Sequence, residues 1–222
     1  MSLILNIDTA LDSASICLTK DEEMVQLAFN ENQKDHAAWI HTAIAELLKK
    51  NNYTIKQLEA VAVSIGPGSY TGLRVGLAAA KGLCFALNIP LITVSTLEIM
   101  AFAVKNEVTD LICPLIDARR MEVFMAVYNT AVEEITPAHA LIIDETSFAS
   151  LLASHKVLFC GNGCIKLKQL INNTNASFCD ITHNASHLSA LSKIRFSKKE
   201  FSNLAYTEPL YIKEFYSQDR RS

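Results

Sequence analysis

Two stretches of this 222-residue chain can be laid over one another without a gap: Ile7-Asp8-Thr-Ala-Leu-Asp-Ser-Ala-Ser-Ile-Cys-Leu-Thr19 and Ile116-Asp117-Ala-Arg-Arg-Met-Glu-Val-Phe-Met-Ala-Val-Tyr128. Each is an apolar run closed by an aspartate, then a polar turn, then a second apolar run, the pattern of two strands joined by a short connection. The second stretch starts 109 residues after the first, about half the chain, which is the offset a duplicated two-lobed α/β protein gives. Identities are few, so what repeats is pattern.

Around the first copy, Leu3 to Ile7, Ala14 to Thr19 and Met24 to Phe29 read as an antiparallel meander. From Asp35 the period changes: Ile40, Ile44, Leu47 and Leu48 share one face of a helix that runs to Lys50. Ala60 to Ile65 is a continuous apolar strand, a helix from about Thr71 to Leu87 stops before Pro90, and a strand (Pro90 to Thr93) and a helix (Thr96 to Val104) follow. Three strands and then alternating helix and strand predict a mixed sheet with helices on its faces. In the second half, strands are expected at Ala140 to Ile143, Val157 to Cys160 and Pro209 to Ile212, and helices at Glu145 to Ala153 and Ser186 to Phe196. The polar connection at 105–110 divides the lobes, giving an N-terminal lobe over 1–104 and a C-terminal lobe over 105–222.

Five of the seven glycines lie at positions 66, 68, 72, 76 and 82. The spacing fits neither G-x-x-x-x-G-K-[ST] nor G-x-G-x-x-G, and Pro67 removes a backbone donor that an anion cradle would use. Gly72, Gly76 and Ala80 instead recur every four residues, with Ala79 and Leu83 beside them, leaving one helix face nearly bare for a second helix to approach closely. Trp39 and Ala43 flank the apolar stripe of the first helix, and Trp39 is available as an aromatic anchor. The expected interface is therefore Trp39, Ala43, Gly72, Gly76, Ala79, Ala80 and Leu83.

Asp8 and Asp117 end the first strand of each lobe, where carboxylates can face a central cleft and hold hydrated magnesium against phosphates. Gly161 and Gly163, after the Val157 to Cys160 strand, would let backbone approach an adenosine. The chain is expected to require no cofactor of its own. Two places stay open for ATP or ADP with Mg, the cleft and a partner interface. His183 and His187 have a spacing of two zinc ligands on a helix, but Asn184 or Ser186 reads as the N-cap, which puts His183 outside the helix in a surface turn. No metal site and no catalytic residue are assigned.

A net charge of −3 argues against a freestanding nucleic-acid binder. Basic residues do cluster at Lys193, Arg195, Lys198 and Lys199, at Arg119-Arg120 and at Arg220-Arg221, leaving room for an RNA surface shared with a partner. The six cysteines read as buried thiols, Cys160 and Cys164 are not spaced as a zinc knuckle, and the most apolar helix is broken by Arg74, Lys81, Asn88 and Pro90. With no export pattern at Met1 to Asp8, a cytoplasmic protein without membrane contact is expected.

Ile7-Asp8-Thr9-Ala10, the run Gly66-Pro-Gly68-Ser-Tyr70-Thr-Gly72-Leu-Arg74-Val-Gly76, Val94-Ser-Thr-Leu97, Ile116-Asp-Ala-Arg119 with Glu122-Val-Phe124, and Glu208-Pro-Leu-Tyr211 together resemble the TsaB (YeaZ) family. The resemblance implies an actin-like, ribonuclease H-like duplicated fold. It also implies a subunit, not catalytic alone, of the bacterial complex that forms N6-threonylcarbamoyladenosine at position 37 of tRNAs reading ANN codons. Expected partners are a TsaD-like catalytic subunit and a TsaE-like ATPase, with a homodimer when isolated and tRNA reached through the complex. It places the interface on the helices over 35–50 and 71–87. Two alternatives are an autonomous ATP-dependent kinase or acyltransferase using Asp8 and Asp117, and a metallopeptidase using His183 and His187.

Overall fold

The computed structural model describes residues 2–21, 23–30, 35–107, 110–180 and 182–213. β1 (Leu3–Asp8), β2 (Ala14–Lys20) and β3 (Glu23–Asn30) form the meander, followed by α1 (His36–Lys50), β4 (Ala60–Ser64), α2 (Tyr70–Leu87), β5 (Leu91–Val94) and α3 (Thr96–Val104). β4 joins β1 in parallel and β5 joins β4, so the sheet order is β3-β2-β1-β4-β5. The second half repeats it with β6 (Leu111–Asp117), β7 (Glu122–Asn129), β8 (Glu134–Ile142), α4 (Ala149–Ser154), β9 (Val157–Cys160), α5 (Cys164–Leu167), β10 (Ala176–Cys179) and α6 (Ala185–Ser197). Its order, β10-β9-β6-β7-β8, is the first sheet read from the other edge.

Strand periodicity decides which residues meet which layer. Leu3, Leu5 and Ile7 of β1 pack with Val61 and Val63 of β4 under α1 and α2, while Ile4, Ala60, Ala62, Ile92 and Val94 pack with Leu188 and Leu191 of α6. Asn6 and Asp8 therefore belong to the α6 face. Asn6 Oδ1 accepts from Ser192 Oγ at 2.5 Å and its Nδ2 donates to Cys17 O at 3.2 Å, so the buried amide is satisfied on both sides. α3 lies between the two sheets, with Leu97, Met100 and Val104 in one cluster with Ile112, Ile116 and Leu158 of the second sheet.

The structure adds to and departs from these expectations in several places. α6 falls after the 104/105 division yet packs on the first sheet, and Arg195 Nη2 reaches both carboxylate oxygens of Glu98 in α3 at 2.6 and 2.8 Å. Pro209 to Ile212 is not a strand but the end of an extended strap over the first lobe. Along that strap Ser202 N donates to Leu91 O at 2.8 Å, Lys81 Nζ donates to Thr207 O at 3.0 Å, and Leu210 N donates to Ile65 O at 2.7 Å. β8 is longer than expected, and the short edge strand β10 carried too few alternating residues to be foreseen. Arg220-Arg221 lie outside the described residues. All six cysteines are free thiols, five of them buried, and no helix is long and apolar enough to cross a membrane among the described residues.

Candidate functional site

Asp8 is sealed. Its Oδ1 accepts from Ser64 Oγ, at the end of the neighbouring β4, at 2.6 Å and from Ala10 N at 3.2 Å, while His183 Nε2 donates to Oδ2 at 3.1 Å. Both side chains are buried, so His183 is not the surface residue its turn-like sequence suggested. Burial alone would raise the Asp8 carboxyl. The charge and hydrogen bond of His183, with those from Ser64 and Ala10, outweigh it and hold the group below its ordinary value. His187 is the third residue of α6, where Asn184 N donates to its Nδ1 at 3.1 Å, and burial lowers its pKa. The two histidines thus serve an aspartate and a helix cap. Among the described residues no group of three or more His, Cys, Asp or Glu is placed to hold a metal.

Asp117, the counterpart of Asp8 in the repeat, is exposed. Burial opposes its ionisation, but Lys166 Nζ at 2.6 Å and Arg119 N at 2.6 Å, with the charges of Lys166 and Arg119, together hold its pKa below the ordinary carboxylate value. Neither aspartate is among the residues that line the interlobe cleft. The interlobe cleft, of about 460 Å³, is lined instead by Leu11, Asp12 and Ser13 of the β1–β2 turn, Met100, the Gly161-Asn162 turn with Cys164 and Ile165, and Asp180, Thr182 and His183. A Cβ on Gly161 (φ +99°) would lie 2.2 Å from Met100 Cε and 2.5 Å from Leu115 O, and one on Gly163 would lie 2.9 Å from Leu115 Cβ. The room these glycines make is filled by β6 and α3. A Mg-nucleotide fits this site poorly: among the described residues the lining holds no lysine or arginine for phosphates, and a cation at Asp8 would have to displace His183.

The glycine run also faces inward. A Cβ on Gly68 would lie 2.2 Å from Ala10 O, on Gly72 2.1 Å from Thr9 O, on Gly76 2.2 Å from Thr9 Oγ1, and on Gly66 2.8 Å from Leu210 O. Thr9 Oγ1 in turn donates to Gly72 O at 2.7 Å. The bare stripe therefore receives the β1–β2 turn of its own lobe. Of the seven expected interface residues, Ala43, Gly72, Gly76, Ala79 and Ala80 are buried within the chain, and only Trp39 and Leu83 are partly exposed.

The opposite face of α2 is open. Thr71, Ala78, Gly82 and Ala86 are exposed, Phe85 is 82% exposed, and a Cβ on Gly82 would meet nothing within 4 Å. A groove of about 620 Å³ between α1 and the C-terminal part of α2 continues this face, lined by Ile44, Ala45, Leu48, Tyr53 and Leu83 among others. The signal for it was in the sequence: positions 71, 75, 78, 82 and 85 follow the i, i+3, i+4 pattern. The inner glycines follow the same rule, and spacing cannot say which face is inside.

Two five-stranded mixed sheets of identical topology, joined through a buried central helix with a cleft between them, define a two-lobed α/β protein of the actin-like class. A crystal structure of a Pseudomonas aeruginosa protein described as similar to peptidase YEAZ matches over 96% of this chain and 100% of its own, with a TM-score of 0.84 at 23% identity. The structure described as YeaZ from the same organism gives 0.81 over 95% and 100%, also at 23% identity. A family model described as "TsaD: tRNA N6-adenosine threonylcarbamoyltransferase" matches residues 30–215. The protein described as tRNA threonylcarbamoyladenosine biosynthesis protein TsaB from Bacillus subtilis is 30% identical over 200 residues, 89% of this chain and 87% of that one. The protein of the same name from Buchnera aphidicola subsp. Baizongia pistaciae is 29% identical over 96% of this chain and 99% of that one. The chain belongs to the TsaB (YeaZ) family.

Proposed function

We propose that this chain is a docking and activating subunit, not catalytic alone, of the assembly that forms N6-threonylcarbamoyladenosine on tRNA. The observation that carries the subunit reading is Phe85, 82% exposed on a helix face otherwise made of small residues. A lone exposed aromatic is ordinary, but one set in a contiguous apolar face beside a groove marks an interaction surface. The partner of this reading is a TsaD-like subunit with the same lobe architecture, whose own helix pair packs on α1 and α2; a second copy of this chain takes its place in isolation, and a TsaE-like ATPase joins the pair. The names and near-full-length match of the B. subtilis and Buchnera relatives support the pathway. The enclosure of Asp8 by His183, Ser64 and Ala10 favours a subunit over an autonomous kinase.

Phe85→Asp tests the proposal. Burying a carboxylate where an aromatic anchor packs is expected to weaken pairing by at least about 2 kcal/mol, roughly thirtyfold. Because Phe85 is exposed, thermal stability of the isolated chain should stay within about 0.5 kcal/mol of wild type. Titration of the TsaD-like subunit with wild type and variant measures both. Unchanged affinity would remove the face from consideration, and magnesium-dependent ATP turnover by the purified chain would favour the kinase alternative.

A further inference from the structure

The β6–β7 hairpin tip carries Arg119 and Arg120 at φ +70° and +51°. Side chains beyond glycine, asparagine and aspartate seldom adopt this left-handed region, and two arginines in succession run against local preference. The turn is held from within: Arg119 N donates to Asp117 Oδ1 at 2.6 Å, Glu122 N to Arg119 O at 3.1 Å, and Ala118 N to Glu122 O at 3.0 Å. Strain retained in this way points to a use for the side chains.

Electrostatics around the tip point the same way. The two carboxylates at its base are already matched by lysines, Asp117 by Lys166 at 2.6 Å and Glu122 by Lys213. Arg119 and Arg120 are exposed, and neither guanidinium has an ion pair or hydrogen bond among the described residues. In a chain of net charge −3, this hairpin therefore carries a surplus of positive charge, even though Arg119 also acts through space on Asp117, which Lys166 already binds. Planar guanidinium forks suit phosphate oxygens better than ammonium groups do. The tip also lies in the second lobe, whereas α1 and α2 belong to the first, so contact here does not compete with docking there.

We infer that Arg119 and Arg120 form a phosphodiester contact by which this chain holds the RNA backbone of the tRNA in the assembly. The inference rests on the function proposed above. Contacts of this kind position a nucleic acid without reading its sequence.

The test uses the complete assembly and unmodified tRNA transcript, comparing wild type with R119G/R120G. Glycine adopts positive φ without cost, so the variant should fold with unchanged or higher thermal stability. Losing two phosphate contacts is expected to raise KM for tRNA about tenfold and to make the salt dependence of binding shallower by one to two units in the log–log slope, approximately. R119K/R120K should recover part of the loss, and K198A/K199A, which removes the same charge elsewhere on the surface, should move KM less than about twofold. Unchanged KM and slope in R119G/R120G would overturn the inference. So would an equal effect in K198A/K199A, which would make the effect one of total charge, or dissociation of R119G/R120G from its partner on gel filtration, which would make the tip a protein contact. Wild-type product formation reports on the functional reading, and the difference in tRNA binding between variants reports on the hairpin, so the two fail separately.

Discussion

Gly72→Ala is expected to destabilise this protein by about 3 kcal/mol or more, while Gly82→Ala in the same helix leaves it unchanged or raises its stability by about 0.5–1 kcal/mol. The added carbon at position 72 would sit 2.1 Å from Thr9 O, a backbone atom that cannot swing aside, and the shift needed would also strain the 2.7 Å hydrogen bond from Thr9 Oγ1 to Gly72 O. At position 82 it would meet nothing within 4 Å, so only the helix propensity of alanine is felt. A loss of 3 kcal/mol is a large part of an ordinary domain's roughly 5–15 kcal/mol. Denaturant midpoints with unchanged slopes would measure both variants, and equal midpoints for Gly72→Ala and wild type would refute the inward packing of the stripe. The same geometry means that Gly76→Leu, which a stripe facing another helix would tolerate in the free chain, acts on folding before it acts on pairing.

His183→Ala is expected to cost about 3–5 kcal/mol, because it leaves the Asp8 carboxylate buried without its imidazole partner. Asp8→Asn keeps an acceptor oxygen for the donors around this position but removes the titrating carboxyl. The pH dependence separates them. Asp8 titrates below its ordinary value of 3.8 in the folded chain, so its contribution is complete above the unfolded carboxylate pKa and disappears as the pH falls through the folded one. Wild-type stability should therefore decline more steeply than that of Asp8→Asn as the pH falls below about 5. Parallel curves would show that Asp8 contributes no pH-dependent stability.

The duplication was legible because a strand, an aspartate and a turn leave the same mark in both halves, and the two sheets have the same order. The fates of the two aspartates were not. Asp8 and Asp117 occupy equivalent strand ends, but one is covered by a histidine 175 positions away and the other is exposed beside Lys166. No local pattern announces a partner at that distance. The glycine stripe shows a second limit: period-four spacing identifies a face and says nothing about its neighbour, which here is Thr9, supplied by the first turn of the chain. Phe85 lies at the same period on the outer face, and spacing alone does not distinguish an aromatic exposed there from one buried in the core. Pro209 to Ile212 looked like a strand because an extended strap and an edge strand share their composition, and only the single bond from Leu210 N to Ile65 O tells them apart.

The strap has a consequence for the order of events during synthesis. The sheet of the first lobe is complete in sequence by Val94, but α6, which covers one of its faces, ends at Ser197, and Leu210, against which Gly66 packs, comes later still. The second sheet draws all its strands from one uninterrupted stretch, Leu111 to Cys179. On the ribosome, the lobe translated second is thus the first to have all of its sheet and helices available, while the lobe translated first waits, with the α6 face of β1 and β4 uncovered, for the last part of the chain to emerge.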